Sequence, residues 1–258
     1  MLTFKNVNII TRVLLLVFAL LKVLNYISFL WFLLIGVVWL TLTIIGSFHI
    51  RWNYFLKAKH HNYSITEEFI SLTFDDGLHP EFTPKVLKLL KQFNAKATFF
   101  LIGKNIEDHS ELLKEMIQQG HTIGNHTYSH SNNFGFLKTK EVISDLQQTH
   151  TVVEKLVDLK MNLYRPAFGV TNPRISRAVQ KLNLTTIGWS IRSMDTTKIS
   201  KEKILKKITN NIKKGDVVLL HDTSDKTIEV LEQLLVFLEK RNLKSITVDQ
   251  LHNIKAYA

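Results

Sequence analysis

Ser71-Leu72-Thr73-Phe74-Asp75-Asp76-Gly77 places two adjacent carboxylates at the end of a β-like run and follows them with a glycine. Neighbouring side chains of an extended strand point to opposite faces, so Asp75 and Asp76 can share a pocket only where the strand breaks into a turn. Gly77 permits such a turn. A polar turn before a helix is the simpler explanation of an isolated Asp-Asp-Gly, but matching chemistry recurs downstream. We therefore expect the two carboxylates to do different jobs in one active site.

The composition limits the classes of protein to which the chain can belong. Its 258 residues suffice for one ordinary domain and an appendage. The net charge is +11, but residues 1–66 carry six Lys or Arg and no acidic residue, which leaves +5 for the remainder. Because the excess charge flanks an apolar segment, it argues against nucleic-acid binding. The absence of cysteine excludes disulfides and thiolate metal sites.

An apolar segment near the N-terminus predicts a membrane anchor over residues 1–50. Residues 13–48 are almost continuously apolar, with Lys22 their only charged residue. One helix of that length would be about 54 Å long, whereas the hydrocarbon core of a bilayer is about 30 Å thick. We expect two spans, at about residues 7–24 and 27–48, joined at Asn25-Tyr26. A cleaved signal peptide, a buried hairpin of a soluble protein and a single tilted span are the alternatives.

The remainder of the chain shows the pattern of an α/β domain. Residues 51–66 are polar and basic and predict a linker. The polar composition of a linker explains the His60-His61 pair more simply than a metal site does. From Glu67 onward, short apolar runs alternate with helical patterns, which is typical of repeated βα units. The expected strands are 70–74, 97–102, 121–124, 163–165, 185–189, 216–220 and 244–248. The expected helices are 81–93, 109–119, 139–160, 173–182, 200–213 and 225–240.

A pair of histidines follows the third expected strand, in His126-Thr127-Tyr128-Ser129-His130. Four residues apart, the two imidazoles fall on one side of a helical turn and can hold one metal ion together with a carboxylate. Two histidines and one Asp or Glu leave an open position for water, the arrangement that catalytic zinc uses. Surface or core histidines are the usual explanation of such a pair, but the Asp pair follows the first strand in the same way.

Three more polar stretches follow later strands. They are Tyr164-Arg165-Pro166-Ala167-Phe168-Gly169, Trp189-Ser190-Ile191-Arg192-Ser193-Met194-Asp195 and Val217-Val218-Leu219-Leu220-His221-Asp222. In a parallel barrel the carboxyl ends of the strands share one face, where active sites are built. Taken singly, Arg165 could be an ion-pair partner, Asp195 a loop cap and His221 a strand-end residue. Together they indicate one polar site.

Taken in order, the five stretches resemble the motifs of the polysaccharide deacetylases, the NodB-homology group also called carbohydrate esterase family 4. The resemblance covers about residues 70–250, and the run Ala97-Thr98-Phe99-Phe100-Leu101-Ile102-Gly103 also resembles the family. It implies a distorted (β/α) barrel of about seven parallel strands, formed by a catalytic domain over residues 67–258 and preceded by the helical hairpin.

The resemblance also implies the roles of the central residues. Asp76, His126 and His130 would hold one divalent metal ion, usually zinc, with cobalt as the alternative. Asp75 would be the general base that activates the attacking water, and His221 would protonate the departing amine.

Supporting roles follow from the same resemblance. Arg165 would orient Asp75 and favour its ionised form, and Asp195 would hold His221 and favour its protonated form. The Phe168 backbone N–H would stabilise the oxyanion, and Leu219 would line the pocket for the acetyl methyl group. Arg192 stands where the family commonly has an acidic residue, which bears on the identity of the substrate.

The implied function is that of a membrane-anchored, metal-dependent N-deacetylase of an acetylated amino-sugar glycan or glycoconjugate. An O-acetyl esterase and a deformylase or deacetylase of a lipid-linked sugar are alternatives within the hydrolases. A catalytically silent glycan-binding membrane protein is the alternative from another class. No protein partner is evident from the sequence.

The side of the membrane is left open by two opposed arguments. The flanks of the two spans carry more basic residues than the turn between them: Lys5, Arg12, Arg51, Lys57 and Lys59 against Lys22. The positive-inside rule then places the catalytic domain in the cytoplasm. The usual substrates of the family lie outside the cell. We expect a multi-pass protein of the cytoplasmic membrane and slightly favour the external side.

Overall fold

Two long apolar helices precede a βα domain in the computed structural model, which describes residues 2–258. Within those residues the helices are α1 (Phe4–Val23), α2 (Leu30–Phe48), α3 (Phe82–Gln92), α4 (Gly103–Glu107), α5 (Ser110–Gln118), α6 (Thr139–Val157), α7 (Pro173–Lys181), α8 (Lys201–Thr209), α9 (Asp225–Lys240) and α10 (Val248–His252). The strands are β1 (Ala58–Lys59), β2 (Phe69–Asp75), β3 (Ala97–Leu101), β4 (Thr122–Asn125), β5 (Leu163–Tyr164), β6 (Thr185–Ile187), β7 (Ile191–Arg192), β8 (Val217–His221) and β9 (Lys244–Ser245).

The strands form one parallel sheet, which confirms the predicted α/β fold. Its order is β1-β6-β5-β4-β3-β2-β8-β7, with β9 also paired to β2. Three residues separate β6 from β7, although these strands lie near opposite ends of that order. Chain continuity therefore brings the ends together and curls the sheet into a distorted barrel.

The strand count differs from the expected seven for two local reasons. The strand expected over 185–189 ends at Ile187 as β6, and β7 follows it as a strand that was not expected. Strand β1 lies within the region expected to be a linker. The strand expected over 244–248 is only partly formed, because the chain turns into α10 at Val248. There the Gln250 side chain accepts from the Thr247 backbone N–H at 3.4 Å at the start of the helix.

Strand β2 lies at the centre of the sheet, between β3 and β8. All its residues from Ile70 to Asp75 are buried, as expected for a parallel strand that is covered on both faces. Phe74 stacks on Phe99 of β3 with 5.1 Å between ring centroids. This rigid core holds the carboxyl ends of the strands, and hence the polar stretches, at one edge.

The two N-terminal helices keep most of their apolar surface exposed. Each is long and apolar enough to cross a membrane, and only 6% of the most apolar window of α1 and 11% of that of α2 are buried. A core helix of a soluble protein would be mostly buried, so this exposure disfavours the buried-hairpin alternative. The two helices are joined by a hydrogen bond, in which the Trp39 indole N–H of α2 donates to the Asn8 amide oxygen of α1 at 2.8 Å.

Residues 51–66 are more ordered than a linker would be. Ala58 and Lys59 pair with Thr186 and Ile187 of β6, which gives that strand a second neighbour. Nearby, the Thr171 backbone N–H donates to the carbonyl of Ser47 at 2.9 Å. The base of the helical hairpin is therefore fixed to the barrel close to the polar edge.

Candidate metal centre and active site

The first polar stretch bends because Asp76, and not Gly77, adopts a left-handed backbone. Asp75 is the last residue of β2, and Asp76 has φ 73°, a conformation that Asp tolerates better than most residues. Gly77 is required for a different reason. A Cβ at that position would lie 2.8 and 3.1 Å from the two carboxylate oxygens of Asp222. The glycine thus allows the backbone to approach a buried carboxyl group.

The histidine stretch is an irregular loop, so the expected helical turn is wrong. Thr127 and His130 both have positive φ, at 72° and 44°. The loop is held by side chains: Asn125 accepts from the Thr127 N–H at 2.9 Å, and the Asp145 carboxylate accepts from the N–H groups of Tyr128 and Ser129 at 2.6 and 3.2 Å. These bonds compensate for an unfavourable backbone and bring the two histidines together, with 5.1 Å between ring centroids.

The structure brings together the three residues expected to bind metal. Asp76 Oδ1 lies 3.5 Å from His126 Nε2 and 3.3 Å from His130 Nε2, and all three ligand atoms lie within 4.8 Å of one another. His126 Nδ1 lies 2.9 Å from the Arg165 carbonyl oxygen, so Nδ1 carries the proton. The lone pair of Nε2 is then free to bind a metal ion. His130 Nε2 is buried and has no hydrogen-bond partner within residues 2–258. This donor set fits one divalent ion.

The electrostatics of the group favour the forms that bind metal. Burial opposes the ionisation of Asp76, but the hydrogen bond and charge of His126, followed by His130 and His221, lower the pKa of Asp76 to about 2. Burial, and next the neighbouring His126, lower the pKa of His130 below its ordinary value. A carboxylate and neutral imidazoles are the ligand states that a divalent ion requires.

Arg165 fixes Asp75 beside Asp76, His126 and His130, which are called the metal group below. Its guanidinium is fully buried, and Nη1 donates to Asp75 Oδ1 at 2.8 Å and to Thr73 Oγ1 at 2.7 Å. Nη2 donates to the Gly188 carbonyl at 2.9 Å. Asp75 Oδ2 lies 3.9 Å from His126 Nε2, on the metal side. One oxygen of Asp75 is therefore held by Arg165, and the other faces the metal group.

His221 and Asp195 form a second hydrogen-bonded pair across the site. His221 Nδ1 lies 2.8 Å from Asp195 Oδ1, and the His221 backbone N–H donates to Asp195 Oδ2 at 2.8 Å. Ser193 and Thr227 hydroxyls also donate to this carboxylate, at 2.7 and 3.0 Å. Burial of the imidazole opposes its protonation, but Asp195 outweighs burial and raises the pKa of His221 above its ordinary value.

The two residues expected to contact substrate differ in exposure. Phe168 has φ 57°, its side chain is 47% exposed, and its ring centroid lies 4.5 Å from that of His130. It therefore lies at the rim of the metal group. Leu219 is almost fully buried on β8, two residues before His221, and packs in a cluster with Tyr164 and Trp189.

Sequence reasoning missed several polar residues that support the site. Asp145 and Thr227 lie on helices far along the chain from the groups they hold, and no local pattern identifies them. Asp222 follows His221 directly and is completely buried. The Thr83 hydroxyl donates to its Oδ2, while Oδ1 has no hydrogen-bond partner within residues 2–258. Burial raises the pKa of Asp222 to about 7.

Comparisons with known proteins identify the family that the sequence resembles. The polysaccharide deacetylase family model matches residues 63–187. A peptidoglycan-N-acetylglucosamine deacetylase of Bacillus cereus is 34% identical over 197 residues, which cover 73% of this chain and 90% of the relative. The peptidoglycan-N-acetylmuramic acid deacetylase PdaA of Bacillus subtilis is 34% identical over 191 residues, which cover 72% of each protein.

A solved structure shows the same similarity in three dimensions. The crystal structure of a peptidoglycan N-acetylglucosamine deacetylase superposes with a TM-score of 0.71 at 30% sequence identity. The superposition covers 78% of this chain and 94% of that protein. The fold and the sequence thus point to the same group of proteins.

Proposed function

This chain belongs to the polysaccharide deacetylase family, and we propose that it removes N-acetyl groups from the amino sugars of a cell-envelope glycan. As a member it is a hydrolase of the amide bonds of acetylated sugars. Peptidoglycan is the first substrate to consider, because the names of the similar proteins specify its N-acetylglucosamine and N-acetylmuramic acid. The observation that carries the proposal is the convergence of Asp76, His126 and His130 between Asp75 and His221.

Members of this family generally use a divalent metal ion, and we assign its binding to Asp76, His126 and His130. Two imidazole nitrogens and one carboxylate oxygen, with no cysteine in the chain, favour zinc, with cobalt as a substitute. Bound there, the ion would supply Lewis-acid chemistry, polarising the acetyl carbonyl and lowering the pKa of water.

Asp75 is assigned as the general base. Because Arg165 holds its Oδ1 at 2.8 Å, its Oδ2 is directed to the metal side and can accept a proton from the attacking water. The water oxygen then bonds to the acetyl carbon. The Phe168 backbone N–H, at the rim, is assigned as a donor to the carbonyl oxygen as negative charge develops on it.

His221 is assigned as the general acid. Its Nδ1 is bonded to Asp195, so Nε2 is the nitrogen available to donate a proton to the sugar nitrogen as the carbon–nitrogen bond breaks. The products are acetate and a free amine. Leu219, buried beside this pair, is assigned to the wall against which the acetyl methyl group packs.

The N-terminal helices are proposed to anchor the catalytic domain to the cytoplasmic membrane. In this assignment residues 1–50 form a two-span anchor, residues 51–66 a junction and residues 67–258 the catalytic domain. Both ends of the hairpin then lie on the same side of the membrane as the catalytic domain. We place this side outside the cell on the basis of the proposed substrate. Protease added to intact cells, or to spheroplasts where an outer membrane is present, tests this side: a domain that is cleaved only after the cytoplasmic membrane is broken would contradict it.

The function is tested by offering the purified full chain, with zinc, a panel of N-acetylated and O-acetylated glycans. Free amine and acetate are both measured. We expect equal amounts of amine and acetate from an N-acetylated glycan, and neither from the Asp75→Asn variant, which keeps the three proposed metal ligands and whose melting temperature verifies its fold. Acetate without amine would indicate an O-acetyl esterase. Binding of glycan without any product, in protein with full metal content, would indicate a silent binding protein.

A further inference from the structure

A second concave site lies outside the catalytic centre, between the base of the helical hairpin and α8. The cavity has a volume of about 290 Å³. Arg51 lines it from the residues that follow α2, Arg192 from β7, Lys207 from α8 and Asn211 from the turn after α8. Trp189 and Ser190 contribute to its wall, and none of the lining residues is acidic. The cavity therefore presents three cations from three separate parts of the chain.

The three cations of this cavity have no acidic counterpart. None of them forms an ion pair with a carboxylate anywhere in residues 2–258, whereas Lys201 on the same helix pairs with Glu229. Arg51 Nη1 donates to the Ser190 carbonyl at 3.3 Å, and the Arg192 guanidinium lies 5.9 Å from the Trp189 ring centroid. A cleft lined by charges of one sign concentrates the electrostatic potential and attracts an anion. The planar arginine fork suits the oxygens of a phosphate.

The position of the cavity relative to the hairpin indicates where such an anion would come from. Helix α2 has 19 residues, and its length of about 28 Å nearly matches the hydrocarbon core of a bilayer, about 30 Å. Phe48, its last residue, then lies at the boundary of the core. Arg51 is three residues further on, in the layer occupied by lipid head groups. Lipid phosphates would therefore lie beside the cavity.

We propose that Arg51, Arg192 and Lys207 bind the phosphate of an anionic phospholipid at the membrane surface. The phosphate would accept from the two guanidinium groups, the Lys207 ammonium and the Asn211 amide. A zwitterionic head group brings its own cation to the phosphate, so three uncompensated cations favour a lipid with net negative charge. The inference rests on the proposed membrane anchor and is independent of the deacetylation chemistry.

The site would also orient the enzyme. Trp189, which lines the cavity, lies 5.7 Å by its ring centroid from the guanidinium carbon of Arg165, the residue that holds Asp75. A lipid held in the cavity would therefore keep the catalytic edge of the barrel next to the bilayer. Glycan close to the membrane surface would be the most accessible substrate.

The test is native mass spectrometry of the purified full chain released from detergent, titrated with phosphatidylglycerol or phosphatidylcholine. The double variant Arg192→Gln, Lys207→Gln removes two cations of the cavity. The control Lys203→Gln, Lys206→Gln removes the same charge from α8 outside the cavity. We expect one tightly bound phosphatidylglycerol in the wild type and the control, and binding at least about tenfold weaker in the cavity variant, because charge-assisted hydrogen bonds are lost. Unchanged metal content and melting temperature verify that each variant is folded.

Several results would overturn the proposal. They are equal binding of phosphatidylcholine, an equal loss in the control variant, and displacement of the lipid by millimolar inorganic phosphate. Farnesyl phosphate provides an additional arm of the titration. If it binds much more tightly than phosphatidylglycerol and depends on the same residues, the occupant is a phosphorylated isoprenoid carrier and the phospholipid assignment is wrong.

Discussion

The two halves of the proposed active site differ in how fully the protein satisfies their polar atoms. In the acid half, His221 and Asp195, the carboxylate accepts four hydrogen bonds from the protein, including one at 2.8 Å from the imidazole. In the metal half, Asp76, His126 and His130, the donor atoms converge, and His130 Nε2 is buried without a partner in the described chain. The acid half is fully hydrogen-bonded as folded, whereas the metal half has donor atoms that the proposed divalent ion would complete.

This difference means that the two halves should fail in different ways. Loss of a metal ligand should remove the ion, and with it the chemistry of every substrate. Loss of the acid should leave the ion in place and matter only where the leaving group needs a proton. Each variant below tests whether the halves are separable in this way.

The largest effect is expected from Asp76→Ala. The variant removes the only carboxylate of the metal half, so metal binding and hydrolysis of all substrates should be lost together. The loss of several kcal/mol of Lewis-acid stabilisation corresponds to about a thousandfold or more in kcat/KM. Metal content by mass spectrometry, compared with Asp75→Asn as the matched neighbour, provides the measurement. If Asp75→Asn loses the metal and Asp76→Ala keeps it, the two roles are assigned the wrong way round.

The next effect concerns His221→Ala and depends on the substrate. General acid catalysis contributes about a hundredfold to ten-thousandfold when the leaving group is a poor one, as an amine is. We expect a kcat loss in this range for an N-acetyl sugar and a much smaller loss for an activated acetate ester, at unchanged metal content. Parallel kcat measurements on both substrates provide the check. Equal losses would mean that His221 only positions the substrate.

The sequence predicted most of the strands and the polar residues at their ends because parallel βα units leave strong local signals. Strand β2 is a buried run that ends in two carboxylates, and β8 is a buried run that ends in a histidine. The predicted helical turn at the histidine pair was wrong, since the positive φ of Thr127, a β-branched residue, has no sequence signal. The residues that follow Thr127 are held by Asp145, which lies on the next helix, 17 residues after Tyr128.

The strand at one edge of the sheet, β1, could not be predicted from local sequence either. Strand β1 is two residues long within a polar segment, so neither length nor alternation could reveal it. Its existence depends on the exposed edge of β6, which is formed by residues far along the chain. A local sequence pattern carries no information about pairing between residues so far apart. The attachment of the hairpin to the barrel depends on this pairing and so could not be predicted either.

A smaller effect is expected on the pH profile of Asp195→Asn. Asp195 raises the pKa of His221, and the acid must be protonated to work, so the rate falls as pH rises through that pKa. Without the carboxylate the imidazolium loses its stabilising anion, and the alkaline limb should move to lower pH. The pH dependence of kcat for an N-acetyl substrate measures this. An alkaline limb that does not move would show that His221 and Asp195 are not coupled.

The smallest effect on catalysis, and a distinct one on stability, is expected from Asp222→Asn. Burial raises the pKa of Asp222 in the folded state to about 7 from its ordinary value of 3.8, so the folded protein keeps a proton that the unfolded chain loses between these values. The contribution of the Asp222 proton to the free energy of unfolding is therefore full below about pH 4 and is lost as the pH rises to 7. Asn is neutral throughout, so the stability of the variant relative to wild type should rise with pH over this window, by an amount on the order of a few kcal/mol. Melting temperatures at pH 5 and pH 8, with saturating metal, provide the comparison, and a pH-independent difference would contradict the buried-acid assignment.

A zinc titration of the metal-free full chain, with release of free amine from an N-acetylated glycan as the readout, tests the proposed metal centre most directly. We expect no hydrolysis before zinc is added, and full activity once one equivalent has bound. The Asp195–His221 pair should already be formed in the metal-free protein, as monitored by the NMR signal of the His221 Nδ1 proton. Full hydrolysis in protein shown to contain no metal would contradict the assignment of Asp76, His126 and His130.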